Sequence, residues 1–255
     1  MEGLKDKVVV FAGAGGIATA TARFLGAGGA TIVVSDVVEA SAEATARAAR
    51  DAGGEAIAMV ADISSEAQVN AQIERTVKEY GRIDGLFNVA ANIHPDEVAK
   101  DTDAIDIDLA AWQRTIDVNL TGYLLTLKAA LPHMIAGGGG SVVNTISNAV
   151  YAGMPDKLAY SVTKAGITAL TRHVARRYGK DRVRANSLSP GLVLTEQTKL
   201  NLPQDFRDMI LTSTPSWRHG DAADLGATAA FLFSDLSAWT TGQVFCVDGG
   251  TTMRA

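Results

Sequence analysis

The sequence predicts a doubly wound α/β domain built on a parallel sheet. Three observations predict it. Short β-branched runs alternate with Ala-rich helical stretches along all 255 residues. The runs are too apolar for a sheet wetted on one face, so they suit strands covered on both faces. No linker or shift of composition interrupts the alternation, so residues 1–255 read as one domain.

Val8–Phe11 is the first strand, and a helix at Gly16–Gly28 follows it. Thr31–Val34 leads to a helix at Glu39–Ala52, and Ala56–Val60 to one at Glu66–Tyr80. After the strand Leu86–Val89 comes Asn92–Asp108, a loop with five Asp and one Glu. One long helix, Leu109–Ile135, then runs to Gly137–Gly140, a flexible corner that stops it. The strand Ser141–Thr145, the helix Lys157–Tyr178 and the strand Arg184–Leu188 come next. A second loop, Gly191–His219, holds a short helix at Gln204–Leu211. The helix Ala222–Phe233 and the strand Gln243–Val247 close the series. Strand, helix and strand in repetition imply right-handed crossovers.

Composition narrows the function. The chain is 47% hydrophobic and 20% charged, ample for a large core. Its net charge is −5 and it has no long basic tract, which argues against nucleic acid as a partner. The single cysteine, Cys246, excludes an internal disulfide and suits a reducing cytosol, so a cytoplasmic protein is expected. The N-terminus, MEGLKDKVVV, does not read as a signal peptide, and no run reaches the ~20 apolar residues of a membrane span. His94, His133, His173 and His219 are scattered without metal-ligand spacing, so no metal is expected.

Between the first strand and helix lies FAGAGGIATA, with Gly13, Gly15 and Gly16 ahead of Ile17. Such a corner points backbone N–H groups at an anion, although glycine turns also serve as plain corners. Asp36 ends the next strand, twenty-three residues after Gly13, where a carboxylate can accept ribose hydroxyls. The pair points to a dinucleotide. A 2′-phosphate ~4 Å from Asp36 would meet ~4 kcal/mol of repulsion per unit charge at an effective dielectric near 20. The following residues, Val37 and Val38, offer no cation against it, so NAD is favoured over NADP.

Further along, Tyr160 and Lys164 stand four apart in a helix and share a face. An ammonium beside a phenol favours the phenolate. Lowering the phenol from ~10 to ~7.5 takes ~3–4 kcal/mol, which one cation at ~4–5 Å supplies. Alone, the pair could equally sit on a solvated helix face. Ser147, thirteen residues before Tyr160, and Asn119 in IDVNLTG accompany it.

In these motifs the sequence resembles the short-chain dehydrogenase/reductase family, in its single-domain branch, over essentially its whole length. Its landmarks here are the glycine corner, Asp36, Asp62 in VADIS, Asn88 in LFNVAA, Asn119, Ser147, Tyr160 with Lys164, RANSLSPG, Thr195 and TGQVFCVDGG. The resemblance implies a Rossmann-type, seven-stranded parallel sheet of order 3-2-1-4-5-6-7. It implies an NAD-dependent oxidoreductase acting on a secondary alcohol or its ketone. Tyr160 would be the general acid/base, Ser147 would hydrogen-bond the carbonyl, and Lys164 would hold the nicotinamide ribose and lower the tyrosine pKa. Asn119 would position a water. Asp62 and the Ile63 backbone would meet the adenine, and Asn88 and Ala90 the adenosine ribose side. Pro190, Gly191, Val193 and Thr195 would cover the nicotinamide. A homotetramer is implied as well.

Two stretches depart from the family pattern. The corner reads AGAGGIA where the family has TGxxxGIG, with Ala12 for Thr, one residue fewer, and Ala18 for the last glycine. NVAA stands where the family has NNAG, so Val89 and Ala91 lose polar and glycine functions. A nucleotide-binding regulatory or scaffold protein without turnover is the alternative these changes raise. The substrate loops are expected at residues 92–108 and 191–219. Tyr151 resembles a substrate-facing position, Trp217 and Met209 could form an apolar lid, and Arg207 and Arg218 could clamp an anion.

Overall fold

In the computed structural model, which describes residues 1–253, the β-branched runs pair into one seven-stranded parallel sheet. Its order is β3-β2-β1-β4-β5-β6-β7, as expected. The strands are β1 (Val8–Ala12), β2 (Thr31–Asp36), β3 (Glu55–Val60), β4 (Gly85–Asn88), β5 (Gly140–Thr145), β6 (Val183–Pro190) and β7 (Val244–Val247).

Alternation along each strand loads both faces. Val9 and Phe11 of β1 join Phe87 of β4 and Val143 of β5 in one core cluster. Val10, Leu86 and Val142 from the same strands join the cluster on the opposite face. The first face is covered by α1 (Gly16–Ala27), α2 (Glu39–Asp51) and α11 (Ala222–Phe233). Phe11 meets Phe87 edge-on with ring centroids 5.1 Å apart, and Phe87 meets Phe233 at 5.9 Å. The other face is covered by α3 (Glu66–Tyr80), α6 (Gly122–Ala136) and α8 (Leu158–Tyr178).

The expected helix Leu109–Ile135 is not continuous. It divides into α5 (Leu109–Ile116), a π-helical turn at Asp117–Thr121, and α6. A π turn carries extra residues per turn, so it re-aims the side chains it holds, and Asn119 sits within it. The two expected loops also hold short helices. Residues 92–108 contain α4 (Pro95–Val98), and residues 191–219 contain α9 (Glu196–Asn201) as well as α10 (Gln204–Ser213). A further turn, α7 (Ala149–Ala152), follows β5. No helix among the described residues is long and apolar enough to cross a membrane.

The strand order reverses beside β1, whose neighbours are β2 and β4. The carboxyl ends of the strands open a crevice there, where ligands bind in sheets of this kind.

Candidate active site

The glycine corner closes over the ends of β1 and β4. Gly13 has φ 109°, and a Cβ on it would lie 2.4 Å from the Ala90 amide nitrogen, so only glycine fits. Ala90 itself donates its amide to the Ala12 carbonyl at 2.9 Å. Gly15 has φ 103° and caps the start of α1, with open space where a Cβ would stand. Gly16 and Ile17 form the first turn of α1. A Cβ on Gly16 would strike Thr195 Cγ2 at 2.5 Å, so the corner and the segment after β6 touch here. The Ala14 amide donates to Asp36 Oδ2 at 2.9 Å, and the Val38 amide donates to Asp36 Oδ1 at 2.9 Å. That carboxylate therefore ties the corner to the end of β2, and each of its oxygens keeps a lone pair for another donor.

Asp62 lies beyond β3. Ser64 donates both its amide and its hydroxyl to Asp62 Oδ1, at 2.8 and 2.6 Å, and Arg114 Nη2 donates to Oδ2 at 3.1 Å. Burial raises this carboxyl's pKa, but the Ser64 and Arg114 donors outweigh it and hold it below the usual range. Ile63 beside it is buried under α6.

Asn88 ends β4 at the crevice. Its side chain is fully buried inside the sheet. Nδ2 donates to Asn144 Oδ1 at 2.8 Å, and Oδ1 accepts from Thr126 Oγ1 at 2.7 Å. Asn144 Nδ2 then donates to Thr171 Oγ1 at 3.0 Å, which bonds Ser187 Oγ at 2.9 Å. The asparagine side chain thus bridges strands β4 and β5 to helix α6.

Ser147, Tyr160 and Lys164 come together at the end of β5. The Ser147 hydroxyl faces the Tyr160 phenol closely enough to lower its pKa. Ser147 Oγ also accepts the Ala149 amide at 3.2 Å, which fixes it at the start of α7. Lys164, one helical turn below Tyr160 in α8, is 1% exposed, and its Nζ donates to the Thr145 carbonyl at 2.8 Å. Nζ lies 5.5 Å from the Tyr160 ring centroid and 5.3 Å from that of Tyr123. Asn119 is fully buried, and its Oδ1 accepts the Asn92 amide at 2.7 Å. Its Nδ2 has no partner, nor has Thr145 Oγ1 close to the lysine.

The electrostatics differ from the expectation of a phenol made acidic by its lysine. Burial raises the Tyr160 pKa above 10, and the Ser147 hydroxyl offsets only part of this. Burial lowers the Lys164 pKa from 10.5 to about 7. A buried amine without a carboxylate partner sheds its proton readily, so it is a weaker cation near neutrality than the sequence spacing suggests.

Pro190 ends β6, and its carbonyl accepts the Asn148 amide at 3.0 Å. Gly191 donates its amide to Val247 at 3.1 Å, and a Cβ there would lie 2.7 Å from Asp248 Cα. Val193 is buried in a bridge with Gly220, and Thr195 caps α9 by accepting the Thr198 amide. Arg218 is taken up by Asp224 through two bonds of 2.7 and 2.9 Å, so it is no free anion clamp. Arg207 retains a buried Nε without a partner. Trp217 is 86% exposed, stacks with the Arg218 guanidinium, and forms no lid in this structure. Cys246 is half-buried rather than buried. A groove of about 940 Å³ runs along α1 past Arg23, Asp51 and Thr195, but the Ser147–Tyr160–Lys164 cluster does not line it. Among the described residues no group of three His, Cys, Asp or Glu is placed to hold a metal ion.

Residues 12–252 match the family described as enoyl-(acyl carrier protein) reductase. The chain belongs to the short-chain dehydrogenase/reductase family. It is 36% identical over 252 residues to cis-4-hydroxycyclohexanecarboxylate dehydrogenase of Sinomonas cyclohexanicum, covering 98% of each chain. It is 34% identical to levodione reductase of Leifsonia aquatica, covering 96% of this chain and 94% of that one. A crystal structure of levodione reductase superposes with a TM-score of 0.87 at 32% identity, over 96% and 97% of the two chains. A short-chain dehydrogenase/reductase from Mycobacterium ulcerans superposes with a TM-score of 0.91 at 28% identity, over 98% and 91%.

Members of the short-chain dehydrogenase/reductase family are oxidoreductases that use nicotinamide cofactors. This chain's residues fit such a group. Gly15 leaves open space at a helix N-terminus, Asp36 keeps acceptor capacity at the strand edge, and the Asn119 amide is buried and unpartnered.

Proposed function

We propose that this protein is an NAD-dependent alcohol dehydrogenase and carbonyl reductase acting on a secondary alcohol or its ketone, with Tyr160 as general acid/base. The observation that carries this reading is the meeting of Ser147 with the Tyr160 phenol, one helical turn from a buried Lys164. A bound nicotinamide would supply a C4 that gives or takes the hydride at the carbinol carbon. Tyr160 would exchange a proton with the substrate oxygen. Ser147 would hold that oxygen and the phenol in one hydrogen-bonded group, which favours charge developing between them. Lys164, steered by the Thr145 carbonyl, would hold the nicotinamide ribose, and the unpartnered Asn119 amide would donate to a water that links the lysine to solvent.

The N–H groups at Gly15, Gly16 and Ile17 would receive the pyrophosphate. Asp62 and the Ile63 backbone would face the adenine, and Ala90 the adenosine ribose side. Pro190, Gly191, Val193 and Thr195 would cover the nicotinamide. Asp36 would accept the adenosine ribose hydroxyls on its remaining lone pairs and repel a 2′-phosphate. Homotetramer formation suits the exposed Leu124 on α6 and Val162 on α8. The name of the Sinomonas relative points to ring secondary alcohols as the first substrates to try.

The test is a panel of secondary alcohols and ketones, ring alcohols with and without a carboxylate included, assayed with NAD and NADP side by side. Turnover with NAD is expected. Tyr160→Phe should lower kcat by about 10³-fold, within the range that general acid/base groups contribute. Absence of turnover in a protein that still binds NAD would instead establish a regulatory or scaffold protein.

A further inference from the structure

Asp101 lies in the acidic segment after β4, yet it is only 5% exposed, whereas Asp103, Asp106 and Asp108 face solvent. It is joined to the start of α8, almost sixty residues later. Its Oδ1 accepts the Ala159 amide at 2.8 Å, and its Oδ2 accepts the Tyr160 amide at 2.9 Å. Its own carbonyl accepts the Lys157 amide at 2.8 Å, and the Thr102 carbonyl accepts that of Leu158 at 3.3 Å.

A helix leaves its first N–H groups without intrahelical partners. The residue in the N-cap position of α8 is Lys157, with φ 58° and no side-chain cap. The four amides from Lys157 to Tyr160 are instead satisfied by Asp101 and Thr102 from another part of the chain. The carboxylate also places negative charge at the positive end of the α8 dipole. The same segment begins at Asn92, whose amide is held by Asn119 Oδ1.

We propose that Asp101 is a positioning residue for Tyr160. It fixes the backbone from which the phenol projects, and so links the 92–108 segment to the hydroxyl that meets Ser147. The functional consequence rests on the reading of Tyr160 as the general acid/base.

Asp101→Ala and Asp101→Asn test it through kinetics and amide hydrogen exchange. In Asp101→Ala, exchange at residues 158–160 should rise by about tenfold or more as the charge-assisted bonds are lost. Its kcat should fall by about 10- to 100-fold, because small misplacements of a reacting group are costly, while KM for NAD stays within about twofold. Asp101→Asn keeps one acceptor and should fall between wild type and Asp101→Ala in both readouts. Should Asp101→Ala fail to fold, the split in Asp101→Asn between a lowered kcat and an unchanged KM for NAD decides. Unchanged exchange at 158–160 overturns the proposal, as does faster exchange with kcat within about twofold of wild type. So does equal loss of kcat and NAD affinity in both variants, which would mark a merely structural role. Should the wild type turn over no alcohol, the acid/base reading fails, and exchange at 158–160 alone decides whether Asp101 holds Tyr160.

Discussion

At the β1 end of the cleft, the chain is held by backbone amides. Ala14 and Val38 donate to one carboxylate, Asp36, and Gly13 donates its amide to the Ser35 carbonyl at 2.8 Å. At the β5 end it is held by buried side chains. Asn88, Asn144, Thr171 and Ser187 bond in series beneath Tyr160 and Lys164. The two ends answer differently to sequence change. A corner built of main-chain contacts tolerates a lost residue and alanine for threonine. A buried polar series does not, because each member left without a partner costs about 1–3 kcal/mol. The departure from the family's glycine pattern falls in the first region, and the second keeps Asn119, Ser147, Tyr160 and Lys164 together.

The sharpest test of that contrast is Lys164. In the folded protein its pKa is lowered from 10.5 to about 7 by burial. The cost of burying the ammonium is fully present below pH 7, where both folded and unfolded chains carry the proton. Between pH 7 and 10.5 the unfolded chain binds more protons, so stability rises with pH. Lys164→Met removes this titration. Its stability relative to wild type should be highest below pH 7 and should fall by on the order of 5 kcal/mol as pH rises to 10.5. Urea unfolding of both proteins at pH 6, 8 and 10 measures it. Parallel stability curves would mean that the amine keeps its proton throughout, and the contrast between the two ends would lose its electrostatic half.

The sequence carried the strands because burial on both faces leaves uninterrupted apolar runs, such as KVVVFA and TIVVSD, while their order came from the family resemblance. One helical turn fixed the pairing of Tyr160 with Lys164, and the resemblance brought Ser147 to them. The sequence could not carry the π turn at Asp117–Thr121, whose residues keep the apolar pattern of an ordinary helix. Nor could it carry Asp101, one acid among six in its segment, whose partners are backbone amides and leave no trace in side-chain identity. The bonds of the Asn88 side chain were hidden for a related reason. A polar residue at a strand end suggests a ligand, and only the coordinates show Asn144 and Thr126 occupying both of its ends. The direction of the Tyr160 shift was illegible too, because spacing gives proximity and says nothing of burial.

Asn88→Ala sharpens the contrast from the structural side. It leaves Asn144 Oδ1 without its donor inside the sheet, while Thr126 can still donate to the Tyr123 carbonyl, so unfolding free energy should drop by about 1–3 kcal/mol. NAD affinity, measured by titration, should stay within about twofold because the side chain is buried and spends its polar atoms within the sheet. Unchanged stability with weakened NAD binding would place the Asn88 side chain at the cofactor site.

The smallest expected effect is at Asp36, which is half-exposed and therefore screened by solvent and salt. Asp36→Asn removes the charge while keeping one oxygen that can accept the Ala14 or the Val38 amide, so the corner should hold its shape. Repulsion of a 2′-phosphate then disappears. The ratio of kcat/KM for NAD to that for NADP should fall by about tenfold, well short of the full repulsion at a low dielectric. The change should come from improved NADP use together with a modest loss for NAD, as one ribose acceptor becomes an amide donor. The ratio should also move less at high salt, since an exposed charge does less there. If NAD and NADP lose affinity equally, the carboxylate acts only as the tie between β2 and the glycine corner. Cofactor choice would then lie in the main chain of the shortened loop itself.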